Sequence, residues 1–140
     1  MVPGGAGSLA DVGAGDGQLA RELTSRGRRV VATERSGGPF ERLRAGSPGL
    51  DCRMGEGLEV LRPAEVEGVI LAGMGGHTIA RILSASPAVV RKLGWLVLQP
   101  QQHPSQLADW LADAGFRMLA VGQAAERGRC YTVLLVGPPL

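Results

Sequence analysis

Short apolar runs alternate along the chain with segments in which apolar residues recur every three or four positions. Runs rich in Val, Ile and Leu are typical of buried strands, and the spaced pattern is typical of helices with one face on a core. We therefore predict five strands, at 9–13, 30–33, 51–54, 69–72 and 95–98, each followed by a helix or helical turn. Strands that alternate with helices favour a parallel sheet.

The helical pattern is clearest near the end of the chain. Leu107, Trp110, Leu111 and Ala114 follow the i, i+3, i+4, i+7 spacing of a core-facing helix, and Gly115 predicts its end. Fewer apolar positions mark the other predicted helices. These positions are Leu19, Ala20 and Leu23; Phe40 and Leu43; and Ile79, Ile82 and Leu83.

The last part of the chain differs in kind. Residues 116–121 and 130–136 are both strand-like, and only the polar segment GQAAERGR separates them, which predicts an antiparallel hairpin. We therefore predict an α/β fold in one domain, residues 1–140. Its mainly parallel sheet has seven strands, or six, with a C-terminal antiparallel hairpin and helices on both faces.

Composition narrows the class of protein without naming a function. The hydrophobic share of 44% and net charge of +2 are ordinary for a globular domain. The apolar runs fall far short of the ~20 residues that span a bilayer, and no signal peptide is evident, so we expect a cytoplasmic protein without membrane contact. Cys52 and Cys130 are too few for a disulfide framework or a four-ligand zinc site, and both are predicted strand thiols.

A glycine-rich loop follows the first strand, where the segment DVGAGDG runs from Asp11 to Gly17. Glycines at the start of a helix let the backbone approach a ligand closely. A dinucleotide fingerprint would need glycine at Gln18, so NAD and FAD fit less well. The pattern D-x-G-x-G-x-G resembles methyltransferase motif I, which implies S-adenosylmethionine as cofactor, with Gly13 and Gly15 in the contacting loop.

Two acids in this loop suit the charges of that cofactor. Asp11 and Asp16 can complement its ammonium and sulfonium groups, directly or through water. The alternative is a tight turn in which Asp16 only caps the following helix.

Further acids follow the second and third strands. Glu34 lies twenty-one residues after Gly13, where a carboxylate can accept hydrogen bonds from both ribose hydroxyls. Glu56 can accept from an adenine amino group, while Gly57 keeps the approach open. Either glutamate alone can equally be a solvated surface residue. The remaining predicted cofactor contacts are Arg35 and Gly73.

Four segments can be compared with a known family, and they occur in the order DVGAGDGQLA, GEGLEVLRPAEVEGVILAGMGGHTIARIL, LVLQPQQHPSQLADWLADAGF and RCYTVLLVG. They resemble the bacterial enzymes that methylate N1 of adenine 22 in tRNA, and they cover nearly the whole chain. The combination of AGMGG with LQP is the most specific part. The resemblance implies a Rossmann-like class I methyltransferase that uses S-adenosylmethionine and acts on tRNA.

Motif I and the ends of the chain depart from that family. Its motif I usually reads D-[IV]-G-[ST]-D-H-x-Y-L-P, so a role of its Asp-His pair does not transfer. Members also carry a helical segment before the first strand and a C-terminal helical extension thought to help hold tRNA. This chain is expected to lack both, so either a protein partner supplies RNA contacts or the substrate differs. The differing positions are Ala14, Gly15, Asp16, Gln18 and Ala20.

The resemblance also suggests which residues surround the target base. Met74 and its neighbours follow the fourth strand, where related adenine methyltransferases hold the base, although an ordinary glycine-rich helix start is the alternative. The amide of Gln99, after the fifth strand, can contact a base edge. His77 and His103 begin the next helices and can line the site, or be solvent-exposed or capping residues. The glycines of the base loop are Gly73, Gly75 and Gly76.

Fourteen of the fifteen basic residues are arginine, a residue suited to phosphate recognition. Arg127 and Arg129 lie in the predicted hairpin loop, at the same edge as the cofactor loops, and can contact substrate phosphate with Arg35. A simple surface role is the alternative. Other basic residues precede strands and are predicted to form a solvated face at the opposite edge; they are Arg26, Arg28, Arg29, Arg91 and Lys92.

Three functions remain open from the sequence. The first is an adenine-N1 tRNA methyltransferase, with Met74, Gln99 and His77 as the candidate catalytic residues. The second is a methyltransferase of a small molecule or protein. The third is a non-catalytic module that binds S-adenosylmethionine.

Overall fold

The computed structural model describes residues 2–5 and 7–140 of the chain. Seven strands and five helices occur within these residues. In chain order they are β1 Leu9–Val12, α1 Gln18–Ser25, β2 Val30–Glu34, α2 Gly37–Gly46, β3 Asp51–Met54, β4 Gly68–Met74, α3 Gly76–Ala85, α4 Pro87–Arg91, β5 Trp95–Pro100, α5 Pro104–Asp113, β6 Arg117–Glu126 and β7 Arg129–Gly137.

The strands form one sheet with the order β3-β2-β1-β4-β5-β7-β6. The first five strands are mutually parallel, whereas β7 is antiparallel to both β5 and β6. The chain proceeds outward from β1 on one side and from β4 on the other, so the strand order reverses between them. Ligands in open α/β sheets bind at such a switch point, beyond the carboxyl ends of the strands. The predicted seven-stranded, Rossmann-like α/β fold is confirmed.

Two apolar layers cover the faces of the sheet. On one face α1 and α2 contribute Ala20, Leu23 and Leu43, and on the other face α3 and α5 contribute Ile79 and Leu107. Strand β4 contains the uninterrupted apolar run Val-Ile-Leu, all of it buried. A strand covered by helices on both faces needs apolar residues at every position, so this run is typical of a central strand such as β4.

The helices follow the predicted periodicity except at their margins. In α5 the side chains of Leu107 and Leu111 are buried, but Ala114 lies after the helix and is exposed, so its predicted core position is wrong. Leu19 is also wrong as a core residue, because it lies at the rim of the α1 stripe and is 38% exposed. No helix in residues 2–5 and 7–140 is long and apolar enough to cross a membrane.

The C-terminal hairpin is longer than predicted. Its antiparallel pairing is confirmed, but residues 122–126, predicted as loop, pair with β7 through Gln123 with Thr132 and Glu126 with Arg129. Small and polar residues are tolerated there because β6 is an edge strand with little to bury. The turn of the hairpin therefore lies at Arg127 and Gly128, which both have positive φ. The hairpin therefore extends beyond the carboxyl end of β5.

Arg28 does not belong to a solvated face, contrary to the prediction. It is 8% exposed, and its guanidinium donates to the carbonyl oxygens of Gly7 and Pro3 and lies over the Trp95 ring. These partners are distant in sequence, so the local pattern could not identify them. The other basic residues predicted on that face are exposed, as predicted; they are Arg26, Arg29, Arg91 and Lys92.

Candidate functional site

A groove of two lobes opens at the carboxyl ends of β1 and β4. The large lobe has a volume of about 430 Å³ and lies toward β2 and β3, and the small lobe, of about 330 Å³, lies toward β5 and the hairpin. Gly13, Ala72 and Gly73 line both lobes and form their junction. Each volume falls within the range of small-molecule pockets, and together the lobes suit an elongated ligand.

The glycine loop forms the floor between the lobes. The N–H groups of Gly13 and Ala14 both donate to the carbonyl oxygen of Thr33, at 3.0 and 2.9 Å, so the loop lies against β2. Gly13, Gly15 and Gly17 have φ of 72°, 61° and 86°, a region that favours glycine. Gly13 lines both lobes, whereas Gly15 and Gly17 shape the loop without lining either.

The loop is fixed from behind by contacts with the end of α2. Gly17 is buried, and a Cβ there would lie 2.8 Å from both Leu43 Cδ1 and Ser47 Oγ. Arg21 donates to the carbonyl oxygen of Asp16 at 2.7 Å and to Ser47 Oγ at 2.9 Å. Sequence reasoning missed Arg21, because its partner Ser47 lies twenty-six residues away.

Asp11 is the most unusual charged group in the groove. It is 4% exposed and lines the small lobe, and no described residue donates a hydrogen bond to its carboxylate. Burial away from water, with a smaller contribution from the charge of Glu34, raises the pKa of Asp11 to about 7. A buried carboxylate without a donor is unfavourable, and a cationic ligand would stabilise it.

Asp16 is exposed and lines the small lobe. Its carboxylate accepts from the N–H of Gln18 at 3.1 Å, but the N-cap of α1 is Gly17 and no side chain caps this helix. The alternative in which Asp16 only caps the helix is therefore wrong, and a contact of Asp16 with a cofactor stays a prediction.

The large lobe gathers the acids that follow β2 and β3. Glu34 is half-buried at the end of β2, and this burial raises its pKa, while Arg35 and Arg42 act in the opposite direction. Glu56 lies across the lobe and accepts a hydrogen bond from Arg81 at 2.7 Å, which lowers its pKa. Arg81, on α3, was not predicted as a site residue. Arg35, Gly57 and Gly73 also line this lobe.

An internal ion pair holds the loop that carries Glu56 and Gly57. Arg53 donates to both carboxylate oxygens of Glu65, at 2.9 and 2.6 Å, and to the carbonyl oxygen of Val60 at 2.9 Å. The hydrogen bonds from Arg53 lower the pKa of Glu65 to about 2, with a contribution from the backbone of Arg62. This pair was also missed, because its members lie in segments that the sequence pattern treats separately.

The small lobe is rich in acids. Its lining includes the carboxylates of Asp11, Asp16, Glu22 and Glu126, and no arginine or lysine of the described chain lines it. Gln99, half-buried at the end of β5, donates from Nε2 to Glu126 Oε2 at 3.4 Å. The lobe therefore favours neutral or cationic groups over anions. Glu126 was not predicted, because it reaches the lobe only through the pairing of residues 122–126 with β7.

Some of the residues predicted to hold the target base line the groove, and Gly76 does not. Met74 ends β4 and lines the large lobe with Gly75, and its methyl group lies over Gly13. Gly76 begins α3, where its N–H donates to the carbonyl oxygen of Gln102 at 2.8 Å. A Cβ at Gly76 would lie 2.6 Å from the carbonyl oxygen of His103, so glycine is required for this packing.

The two predicted histidines form a stacked pair beside the groove. Their ring centroids are 4.3 Å apart with an angle of 2° between planes, and His77 Nε2 lies 2.6 Å from Gln106 Oε1. Neither His77 nor His103 lines the two lobes. Arg127 and Arg129 are exposed at the hairpin turn and also lie outside the lobes.

Comparison with known proteins gives consistent results. Residues 1–134 match the methyltransferase domain family. A tRNA (adenine(22)-N(1))-methyltransferase of Bacillus subtilis (strain 168) is 32% identical over 142 residues, which cover 96% of this chain and 59% of that protein. The chain thus spans about 59% of the length of this curated relative.

Solved structures agree in fold. The Bacillus subtilis M1A22 tRNA methyltransferase is 27% identical with a TM-score of 0.84, over 95% of this chain and 60% of that one. A Streptococcus pneumoniae protein solved in complex with S-adenosyl-L-methionine is 30% identical with a TM-score of 0.87, over 96% of this chain and 67% of that one.

Proposed function

Because this chain belongs to the methyltransferase domain family, we propose that it transfers a methyl group from S-adenosylmethionine to N1 of adenine 22 in tRNA. The observation that carries this proposal is the buried, unpartnered Asp11 at a groove whose other lobe contains Glu34. An acid with no protein donor is suited to a ligand that brings its own positive charge. The bacterial tRNA methyltransferase similar to this chain supports the choice of acceptor.

The residues of the two lobes suit the ribose, the adenine and the ammonium group of this cofactor. In the large lobe, Glu34 would accept hydrogen bonds from the ribose hydroxyls, and Glu56 would accept one from the adenine amino group. In the small lobe, Asp11 would complement the ammonium group. The junction is formed by Gly13, Gly73 and the small side chain of Ala72, with the Met74 methyl group over Gly13, so the reacting groups would meet beside Met74.

The small lobe also suits the acceptor. The bound cofactor supplies an electrophilic methyl group: the lone pair of adenine N1 forms the new bond to carbon, and the carbon–sulfur bond breaks with its electrons left on sulfur. The ring then carries a positive charge, which the acids lining the small lobe and the carbonyl groups of residues 73–75 would stabilise. Positioning and electrostatics therefore replace a strong base.

Recognition of tRNA beyond the target base would use the hairpin turn. Arg127 and Arg129 are exposed on the extension next to the small lobe, where they can contact phosphates. A protein partner can supply further RNA contacts. A small-molecule or protein acceptor remains the second candidate, and the acidic small lobe would favour an uncharged or cationic one.

The decisive experiment is to incubate the purified protein with labelled S-adenosylmethionine and unmodified tRNA, and then to map methylated adenines. We expect label at N1 of adenine 22 and none in a transcript with another base there. Tight cofactor binding without transfer to any RNA would contradict the proposed tRNA acceptor and leave a small-molecule or protein acceptor, or a module that only binds S-adenosylmethionine.

A substitution in the large lobe tests the cofactor site. Glu34→Gln keeps the shape of the side chain but removes a charged acceptor for two hydroxyls. Hydrogen bonds to charged groups contribute roughly 1.5–3 kcal/mol, so affinity for S-adenosylmethionine should fall about tenfold to hundredfold in calorimetric titration.

Two controls make this result specific. Glu41→Gln, an exposed acid on α2 outside both lobes, should leave the affinity unchanged. A cofactor analogue without the ribose hydroxyls should bind the Glu34→Gln variant and the wild type equally. A loss of equal size with that analogue would show that Glu34 does not recognise the ribose.

A further inference from the structure

Gln99 and Glu126 come from separate parts of the chain and meet in the small lobe. Gln99 lies near the end of β5, and Glu126 is the last residue of β6. The extended hairpin brings the Glu126 carboxylate to 3.4 Å from Gln99 Nε2. Both side chains line the lobe together with Asp11.

This contact, which is long for a hydrogen bond and exposed to solvent, favours one orientation of the Gln99 amide. A carboxylate oxygen accepts hydrogen bonds and donates none, so the amide must present its NH₂ group to Glu126. The other end of the amide, Oε1, is then the free hydrogen-bonding atom. No described residue donates a hydrogen bond to Gln99 Oε1.

We propose that Glu126 is a positioning residue for base selection, and this inference rests on the proposed function. By holding the NH₂ of Gln99, Glu126 leaves Oε1 to accept a hydrogen bond from the amino group of the target base. Adenine carries an amino group next to N1, whereas guanine carries a carbonyl oxygen at the same place. In this orientation the amide selects adenine, because guanine would place two acceptors against each other.

The same contact strengthens as the reaction proceeds. When N1 gains the methyl group, positive charge spreads over the ring and its amino group, whose hydrogens become better donors. An acceptor at Gln99 Oε1 then binds the transition state more tightly than the ground state, which raises kcat. The acids that line the lobe act in the same direction.

The experiment compares two tRNA transcripts with the full chain. One carries adenine at the methylated position, and the other carries purine, which lacks the amino group. Because purine N1 is also a weaker nucleophile, the Gln99→Ala variant gives the intrinsic ratio of kcat/KM for the two transcripts. The wild-type ratio should exceed it by on the order of 10 to 100, as for one good contact to a base edge. Glu126→Gln should lower this ratio several-fold, because a second amide allows Gln99 to turn either way.

A charge-reversed variant gives the sharpest result. In Glu126→Lys the ammonium group only donates, so the Gln99 amide turns its oxygen toward the lysine and the ratio falls to the residual value set by the weaker nucleophilicity of purine N1. Gln99→Ala should give the same residual ratio, with or without Glu126. Gln123→Ala, on the same strand but outside both lobes, should keep the wild-type ratio.

The outcomes separate the two levels of the proposal. Transfer to adenine with a wild-type ratio in both Glu126 variants overturns the positioning role alone. Absence of transfer to either transcript by the wild type overturns the proposed function and this inference with it. A loss of overall rate with an unchanged ratio assigns Glu126 a structural role and also overturns the inference.

Discussion

Replacement of Asp11 by asparagine is expected to stabilise the fold at pH 8 and to weaken binding of S-adenosylmethionine. Burial, with a smaller contribution from Glu34, raises the pKa of Asp11 from 3.8 to about 7. Above pH 7 the wild-type protein must hold this buried carboxylate ionised. Asparagine has nearly the same shape and carries no charge, so the variant avoids that cost.

The pH dependence follows from linkage. Between pH 4 and pH 7 the folded protein holds a proton on Asp11 that the unfolded chain has lost. The free energy of unfolding therefore decreases as the pH rises through this window. A pKa difference of about three units corresponds to roughly 4 kcal/mol, of which about 2–3 kcal/mol lies between pH 5 and pH 8. The Asp11→Asn variant lacks this contribution.

Denaturant unfolding at pH 5 and pH 8 measures the effect. The stability of the variant relative to the wild type should increase by about 2–3 kcal/mol between the two pH values. Asp109→Asn, which removes an exposed carboxylate on α5, controls for the loss of one negative charge. Parallel curves for wild type and Asp11→Asn would show that Asp11 is not the source of the pH dependence.

Binding should change in the opposite direction to stability. If Asp11 complements the cofactor ammonium, its neutral replacement loses a charge pair at a side chain that is only 4% exposed. Such losses are on the order of 2–5 kcal/mol, so affinity should fall at least tenfold in calorimetric titration at pH 8. A variant that is more stable but binds less well would mean that the fold retains an unfavourable buried charge for binding. Unchanged affinity would remove Asp11 from the cofactor site.

The sequence was most informative where function and local pattern coincide. The loop from Asp11 to Gly17 was recognisable because the chain needs glycine there to turn away from β1. Glu34 was recognisable because strand ends can be located from apolar runs, and parallel strands end at one edge. The groove assembled from these features lies where the strand order predicts it.

The features that could not be predicted depend mainly on contacts between segments that are distant in the chain. Arg28 is buried by Trp95 and by carbonyl groups of the N-terminal segment, and no nearby residue signals this. Glu126 reaches the groove only because a polar stretch continues as an edge strand, where pairing matters more than burial. The helix α4 has five residues, too few to show a helical period.

Gly17→Ala should be the most destabilising single-methyl substitution in the glycine loop. The φ of 86° is unfavourable for alanine and costs on the order of 1–2 kcal/mol. The new methyl group would also lie 2.8 Å from Leu43 Cδ1 and from Ser47 Oγ. Leu43 is fully buried and Ser47 is held by Arg21, so neither moves away easily. Overpacking adds roughly 1–3 kcal/mol, for a total of about 2–5 kcal/mol.

Gly15→Ala separates the two contributions. Gly15 has a similar φ of 61°, but nothing lies within 4 Å of the position of its Cβ. Its substitution should therefore cost only the backbone strain, on the order of 1–2 kcal/mol in urea unfolding. The difference between the two variants measures how tightly the loop packs on α2. Equal losses of stability would mean that the end of α2 moves to accommodate the methyl group. Backbone conformation alone would then fix the loop beneath the cofactor site.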